Sequence, residues 1–326
     1  MKWTVLSDNR SCDSRLETEH GLSILLETDR HCILMDTGAS DVFLRNAERL
    51  RAGTLAGMKT AVDLYSVDYV FISHGHSDHA GGLQYFAERN QQANIIVSPD
   101  AMSGAFFSKR GSLHSITAEW PKMDADRLVL IDRTCEIEEG IHVIAHIPQH
   151  HPMPRGNQNL FVKPDMQNKA CLNSVMEGKG RTESRLDIQD AKRRASESNV
   201  MPASTLSSED EFDEVNGDFV HDDFRHELAL YVEGLLFTGC AHSGLENILA
   251  ACPWPVHTVV GGFHLLDGQE TKEELTALAH RLKDKYPLTQ FFTSHCTGDK
   301  AFETLKIIMG NQLHAFCCGM TFSQKP

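Results

Sequence analysis

Short apolar runs, broken by polar or glycine-containing turns, recur along most of the chain. Residues 2–7, 22–27 and 31–36 each read as a strand, the last running into Asp36-Thr37-Gly38. The pattern then predicts a helix over 41–50, a strand over 67–73, a helix over 82–89, a strand over 93–97 and a helix starting near Pro99. Two further strands are expected near 128–131 and 141–147. After His226 the pattern gives a hairpin, 227–232 and 235–238, turning at Glu233-Gly234. The strand 235–238 leads to a helix from Gly244, the strand 256–260 to a helix over 270–284, and the strand 289–293 to a helix over 299–309. Strands alternating with helices indicate an α/β protein.

One stretch breaks this rhythm. No aromatic residue lies between Phe161 and Phe212, charge and serine are abundant, and an acidic run (Glu209, Asp210, Glu211, Asp213, Glu214) follows. Such a composition buries little apolar area. We therefore expect one domain over 1–326, with a charged, mobile insertion or lid at about 163–223.

The chemistry gathers at strand ends. The run 67–73 delivers His74-Gly75-His76-Ser77-Asp78-His79, three imidazoles and a carboxylate within six positions. Neutral imidazole and carboxylate oxygen are the ligands that zinc and similar ions prefer. His74 and His76 can share one metal, while Asp78 and His79 reach a second. Three later strands also end in a histidine: His242, His264 and His295. Sites in α/β sheets form at the carboxyl ends of strands, so four such ends point to one pocket.

Composition narrows the function. The net charge of −14 argues against a nucleic-acid binder, which needs clustered Lys and Arg, but leaves room for a small anionic substrate. No apolar stretch approaches about 18 residues, so no membrane span is expected. The first residues turn polar too soon for a secretory signal. The nine cysteines are scattered apart from Cys317-Cys318 and read as reduced thiols, placing the chain in the cytoplasm.

At this point the chain resembles the metallo-β-lactamase superfamily. His74–His79 matches its H-x-H-x-D-H motif, Asp36-Thr37-Gly38 its preceding strand end, and Leu236-Phe237-Thr238-Gly239-Cys240 its L-F-T-G-D segment, with Cys where a bridging aspartate usually stands. The resemblance covers nearly the whole chain outside 163–223. Segments such as "DTGASDVFLRNAERL", "TGCAHSGLENIL" and "SHCTG" are also similar to the subfamily named for 7,8-dihydropterin-6-methyl-4-(β-D-ribofuranosyl)-aminobenzene-5′-phosphate synthase.

The resemblance implies a four-layer αββα sandwich and a dinuclear centre. Its metal ligands would be His74, His76, Asp78, His79, His242 and His295. Cys240 would be a ligand or a small residue behind the site, and His150, His221 or His226 an alternative source of the third imidazole. Glu227 would orient a ligand histidine, and Asp8, Asn9, Glu19 and His20 would line the substrate side. Asp78 and His264 are the expected catalytic residues, His264 as proton donor to the leaving group.

The implied activity is hydrolysis of a small cytosolic metabolite, phosphorylated or pterin-like, through a metal-bound hydroxide. Zinc suits the ligands, and manganese or iron fit them too. The alternatives are a dihydropterin-linked synthase forming a C–N bond and a non-hydrolytic redox protein or sensor.

Overall fold

In the computed structural model, residues 1–52, 63–164, 218–266 and 269–323 are described. Most of the expected insertion, residues 165–217, lies outside them. The N-terminal half begins with β1 (Lys2–Ser7), β2 (Ser23–Glu27) and β3 (Cys32–Met35), an antiparallel meander. α1 (Val42–Ala52) crosses over to β4 (Tyr69–Phe71), which pairs parallel with β3. The one-turn α2 (Ser77–Ala80) carries the end of the histidine motif, and α3 (Leu83–Arg89) leads to β5 (Asn94–Val97). α4 (Pro99–Ser103) starts on Ser98, whose side chain accepts from the Asp100 N–H, with Pro99 at the first helical position. The strands β6 (Phe106–Ser108), β7 (His114–Ser115) and β8 (Leu128–Leu130) complete this half.

The C-terminal half repeats the plan. β9 (Cys135–Glu138), β10 (Ile141–Ile144), β11 (Leu160–Val162) and β12 (Val220–His221) precede the hairpin of β13 (Ala229–Val232) and β14 (Leu235–Phe237). Its turn residues, Glu233 and Gly234, both have positive φ, as a two-residue hairpin loop requires. Then come α5 (Leu245–Ala251), β15 (Thr258–Val260), α6 (Lys272–Lys285), β16 (Gln290–Thr293), α7 (Asp299–Met309), β17 (Leu313–Ala315) and β18 (Thr321–Ser323). α6 opens on a full capping box between Thr271 and Glu274 and buries Leu275, Ala279 and Leu282, one face at helical spacing.

Two seven-stranded sheets result, ordered β18-β1-β2-β3-β4-β5-β8 and β17-β16-β15-β14-β13-β10-β9. Trp3, Ile24, Met35 and Phe71 of the first pack against Val143, Leu230, Phe237 and Val260 of the second in one shared core. Phe43, Leu83 and Phe86 cover the outer face of the first sheet, and Ile248, Leu282 and Leu305 that of the second. The layers are therefore helix, sheet, sheet, helix, as expected.

Three features depart from the sequence reading. A third, four-stranded sheet, β12-β11-β6-β7, stands beside the sandwich. It was missed because its strands span only two or three residues, too short to show a period. Residues 218–223, assigned to the insertion, include β12, which pairs with β11. Cys12 and Cys317 are disulfide-bonded, with Cα atoms 5.9 Å apart, against the expectation of reduced thiols throughout. Cys32, Cys135, Cys240, Cys252, Cys296 and Cys318 are free.

Candidate metal centre

The turns after β3, β4, β14, β15 and β16 meet at the carboxyl ends of both sheets. Four of their residues hold a left-handed backbone without being glycine: Asp36 (φ 55°), Ala241 (58°), His264 (51°) and His295 (50°). This conformation costs an L-residue about 1–2 kcal/mol, and such outliers cluster at functional sites. Between His74 and His76 only glycine fits. A Cβ on Gly75 would lie 2.3 Å from the Phe106 ring and 2.7 Å from the Ala101 carbonyl oxygen.

Three imidazoles form the first group. Ring centroids lie 4.6 Å apart for His74 and His76, and 4.9 Å apart for each of these with His242. The Nε2 atoms of all three are buried and have no hydrogen-bond partner. Burying three unpaired ring nitrogens is costly unless something binds them. Burial also drives the pKa of His74 and His242 well below the usual imidazole value, and that of His76 below it, so all three are neutral at pH 7.

The second group joins Asp78, His79, Cys240 and His295, whose ligand atoms all lie within 4.8 Å of one another. Here the atoms find partners among themselves. His79 Nε2 is 3.0 Å from Cys240 Sγ and 3.2 Å from His295 Nε2, and Asp78 Oδ2 is 3.3 Å from His295 Nε2. Burial opposes charge on Asp78, but His79, His295 and His20 outweigh it and hold the carboxyl well below its usual range. Burial likewise opposes charge on His295, and Asp78 outweighs it, raising that pKa to about 9. Burial and the adjoining Cys296 keep Cys240 a thiol. Asp78 and Cys240 also belong to clusters containing His74, so they stand between the two groups.

One device aims four of these rings: a partner for Nδ1 leaves the Nε2 lone pair facing the site. His79 Nδ1 donates to Asp36 Oδ2 at 2.6 Å. His74 Nδ1 donates to Ser73 Oγ at 2.8 Å, and that hydroxyl donates to Asp36 Oδ2 at 2.7 Å. His242 Nδ1 donates to Asn157 Oδ1 at 3.1 Å, while Asn157 Nδ2 donates to the His242 carbonyl at 2.8 Å. His295 Nδ1 donates to Asn9 Oδ1 at 3.0 Å. Asp8 accepts from the Ser294 hydroxyl and the His295 N–H. Asp8 and Asn9 thus stand behind His295 rather than on the substrate side.

The remaining expected residues are placed as follows. Glu227 accepts from the backbone N–H groups of His242 and Ser243 at 2.7 Å each, so it fixes a turn rather than a ring. Glu19 accepts from Ser7, Ala39 and Ser40 and closes the turn after Gly38. His20 lines the cleft, 3.4 Å from Asp78 and stacked on His295. His226 has both ring nitrogens engaged, Nδ1 by the Gly75 N–H and Nε2 by Asp222. His150 and His221 are exposed and join no cluster of ligand atoms among the described residues. His264 Nε2 accepts from Arg110 Nη2 at 3.1 Å, and its ring centroid is 4.1 Å from that of His242. A cleft of about 310 Å³, lined in part by His20, Asp78, Arg110, His114 and His264, opens onto both groups.

Sequence reasoning missed Asn157, Asp222, Arg110 and Cys296. Asn157 and Arg110 stand in no spacing pattern with the histidines, whereas Cys296 adjoins His295 and Asp222 lies four residues before His226. Asp222 was lost in the acidic composition of its neighbours, although it is buried beside His226.

With this geometry established, the chain can be compared with known proteins. Residues 17–154 match the family model of the metallo-beta-lactamase superfamily. Over these residues the chain is similar to the metallo-beta-lactamase superfamily. A crystal structure titled as Tm1679, a metal-dependent hydrolase of the beta-lactamase superfamily, superposes with a TM-score of 0.66 over 100% of both chains at 24% identity, which shows the shared fold. The uncharacterized protein MJ0448 of Methanocaldococcus jannaschii is 26% identical over 97% of this chain and 96% of its own length. From the same organism, 7,8-dihydropterin-6-methyl-4-(beta-D-ribofuranosyl)-aminobenzene-5'-phosphate synthase is 24% identical over 92% of this chain and 88% of its own length. The superfamily fold and the buried His/Asp clusters together indicate divalent metal binding.

Proposed function

We propose that this metallo-beta-lactamase domain is a dinuclear metal-dependent hydrolase of a small metabolite. His74, His76 and His242 would hold one ion, and His79 and His295 the other, with Asp78 reaching both. The observation that carries this reading is the set of three buried, convergent Nε2 atoms without partners beside a carboxylate. When bound, such ions supply Lewis-acid polarisation of the substrate and activation of water. Asp78 lines the cleft and would orient that water by accepting a hydrogen bond from it. With His264 Nε2 accepting from Arg110, the proton of the neutral ring sits on Nδ1. Donation to a leaving group from Nε2 therefore requires the imidazolium form.

The reading keeps a single domain with its insertion at 163–223, and a substrate that is phosphorylated or pterin-like. Zinc suits the first group best, and the thiol beside the second favours softer ions. No helix of the described residues is long and apolar enough to cross a membrane. A cytoplasmic location is part of the proposal. The six free cysteines among the described residues support it and the Cys12–Cys317 bond weighs against it.

A second reading, C–N bond formation, is favoured by the relatedness to the synthase. Elemental analysis, then turnover of phosphate esters by chelator-stripped and reloaded protein in ¹⁸O-labelled water, separates the two. Hydrolysis puts solvent oxygen into the product in a metal-dependent way. Metal-dependent product without labelled oxygen would replace the hydrolase with the synthase, and metal-free protein of full activity would end both.

A further inference from the structure

Behind the second ligand group a covalent bond joins two loops that are far apart in the sequence. Cys12 stands in the loop between β1 and β2, and Cys317 in the connection from β17 to β18. We propose that the Cys12–Cys317 bond is a thiol–disulfide exchange site, opened by a dithiol reductant, whose state sets how firmly Asp8 and Asn9 hold His295. This rests on the metal reading only for the ion whose affinity reports the change.

Three observations carry the proposal. The first is reach. Asp8 accepts from the Ser294 hydroxyl and the His295 N–H, His295 Nδ1 donates to Asn9 Oδ1, and Asn9 Nδ2 donates to the His295 carbonyl at 3.2 Å. Cys12 follows three positions after Asn9, so the bond ties down the loop that aims this ring. The second is access. Cys12 is exposed and Cys317 buried, so a reductant meets the Cys12 sulfur and Cys317 is the leaving group. The third is the neighbouring thiol. Cys318 is fully buried, its Sγ donates to the carbonyls of Leu6 and Asp8, and burial pushes its pKa up to about 12. It stays a thiol and does not attack the bond beside it, so exchange is left to a reductant from outside.

The chemistry balances within one dithiol. Its first thiolate attacks Cys12 Sγ, which breaks the S–S bond, forms a mixed disulfide at Cys12 and releases Cys317 as a thiolate that takes a proton. Its second thiol displaces Cys12, which takes the other proton, and the reductant leaves as its own disulfide. The backbone contacts survive: the Cys12 N–H donates to the Cys318 carbonyl at 3.3 Å and the Cys318 N–H to the Arg10 carbonyl at 2.9 Å. The loop therefore loosens without coming away. Its local opening costs less once the tie is cut, and the His295 ring is aimed for less of the time.

Two measurements on oxidised protein, and on protein reduced with dithiothreitol and then freed of it without air, test the switch. Competition with a chromophoric chelator should show the second zinc ion weakened about tenfold on reduction and the first unchanged. Amide hydrogen exchange in metal-free protein should show the His295 N–H exchanging about tenfold faster after reduction. Cys12→Ser should match the reduced protein in both and ignore the reductant. Three results overturn the proposal: no thiols gained by folded protein under the dithiol, equal His295 exchange in both states, or equal weakening of both ions. The two readings fail separately. If no zinc binds in either state while His295 exchange still follows the bond, the metal reading falls and the exchange site stands.

Discussion

The two ligand groups sit side by side yet solve opposite problems. His74, His76 and His242 are neutral and buried, and none of their Nε2 atoms has a hydrogen-bond partner, with Asp222 Oδ2 3.8 Å from that of His76. Asp78, His79, Cys240 and His295 satisfy one another through a carboxylate–imidazolium contact. The first group can take an ion without losing a proton. The second must give up the His295 proton to do so. Two sites that look equivalent as a list of histidines therefore differ in whether protons compete with the metal.

Deleting a ring from the first group should have the largest effect. His76→Ala should lower turnover by about 10³-fold or more and remove an ion by elemental analysis. The same loss of metal from Asp78→Ala, with the first ion gone too, would mean the groups are one cooperative site and the contrast is false.

The pH dependence comes next. His295, raised to about 9, contributes stability that is complete below its unfolded value of 6.5 and fades as pH rises through about 9. Asp78, depressed, contributes stability present above its unfolded value of 3.8 and lost as pH falls through its lower folded value. The metal-free second group is thus most stable between those limits, and metal must displace the His295 proton. Affinity for the second ion should rise about tenfold per pH unit from 7 toward 9, while affinity for the first stays level, because its imidazoles are already neutral. Competition with a chromophoric chelator at several pH values measures both. Two parallel lines would break the comparison.

The orienting amides should give the smallest changes. Asn157→Ala should weaken the first ion and Asn9→Ala the second, each by about 10- to 100-fold, with little effect on the other. Equal weakening of both ions by either change would show that the partner of Nδ1 steadies the whole site rather than one ring.

The frame was legible because it repeats. Strand, turn and helix alternate at lengths that show their period, and each turn announces itself by a histidine beside glycine or serine. His74, His76, Asp78 and His79 could be read as candidate ligands from their spacing and the family resemblance, and the fold brings their side chains into shared clusters. The supporting groups could not. Asn9 and Asn157 act on rings 286 and 85 positions away, separations that only the folded chain closes. The third sheet escaped for the reason given above, and Arg110 with it, since a lone arginine in a polar loop looks like any solvated cation. The Cys12–Cys317 bond spans 305 residues and carries no local signal.

The left-handed turns have a consequence for how the site can be taken apart. At His264 and His295 the backbone already adopts the conformation that glycine prefers. Glycine there removes the ring yet leaves the turn relaxed, so the result is a ring-shaped hole in an otherwise intact wall. Such a hole can be refilled from solution. Free imidazole, or a substituted azole of chosen basicity, can act as a detachable side chain, and activity restored by it as a function of the azole's pKa would read out whether that position serves as ligand or as proton carrier. Here the strain itself makes the part removable.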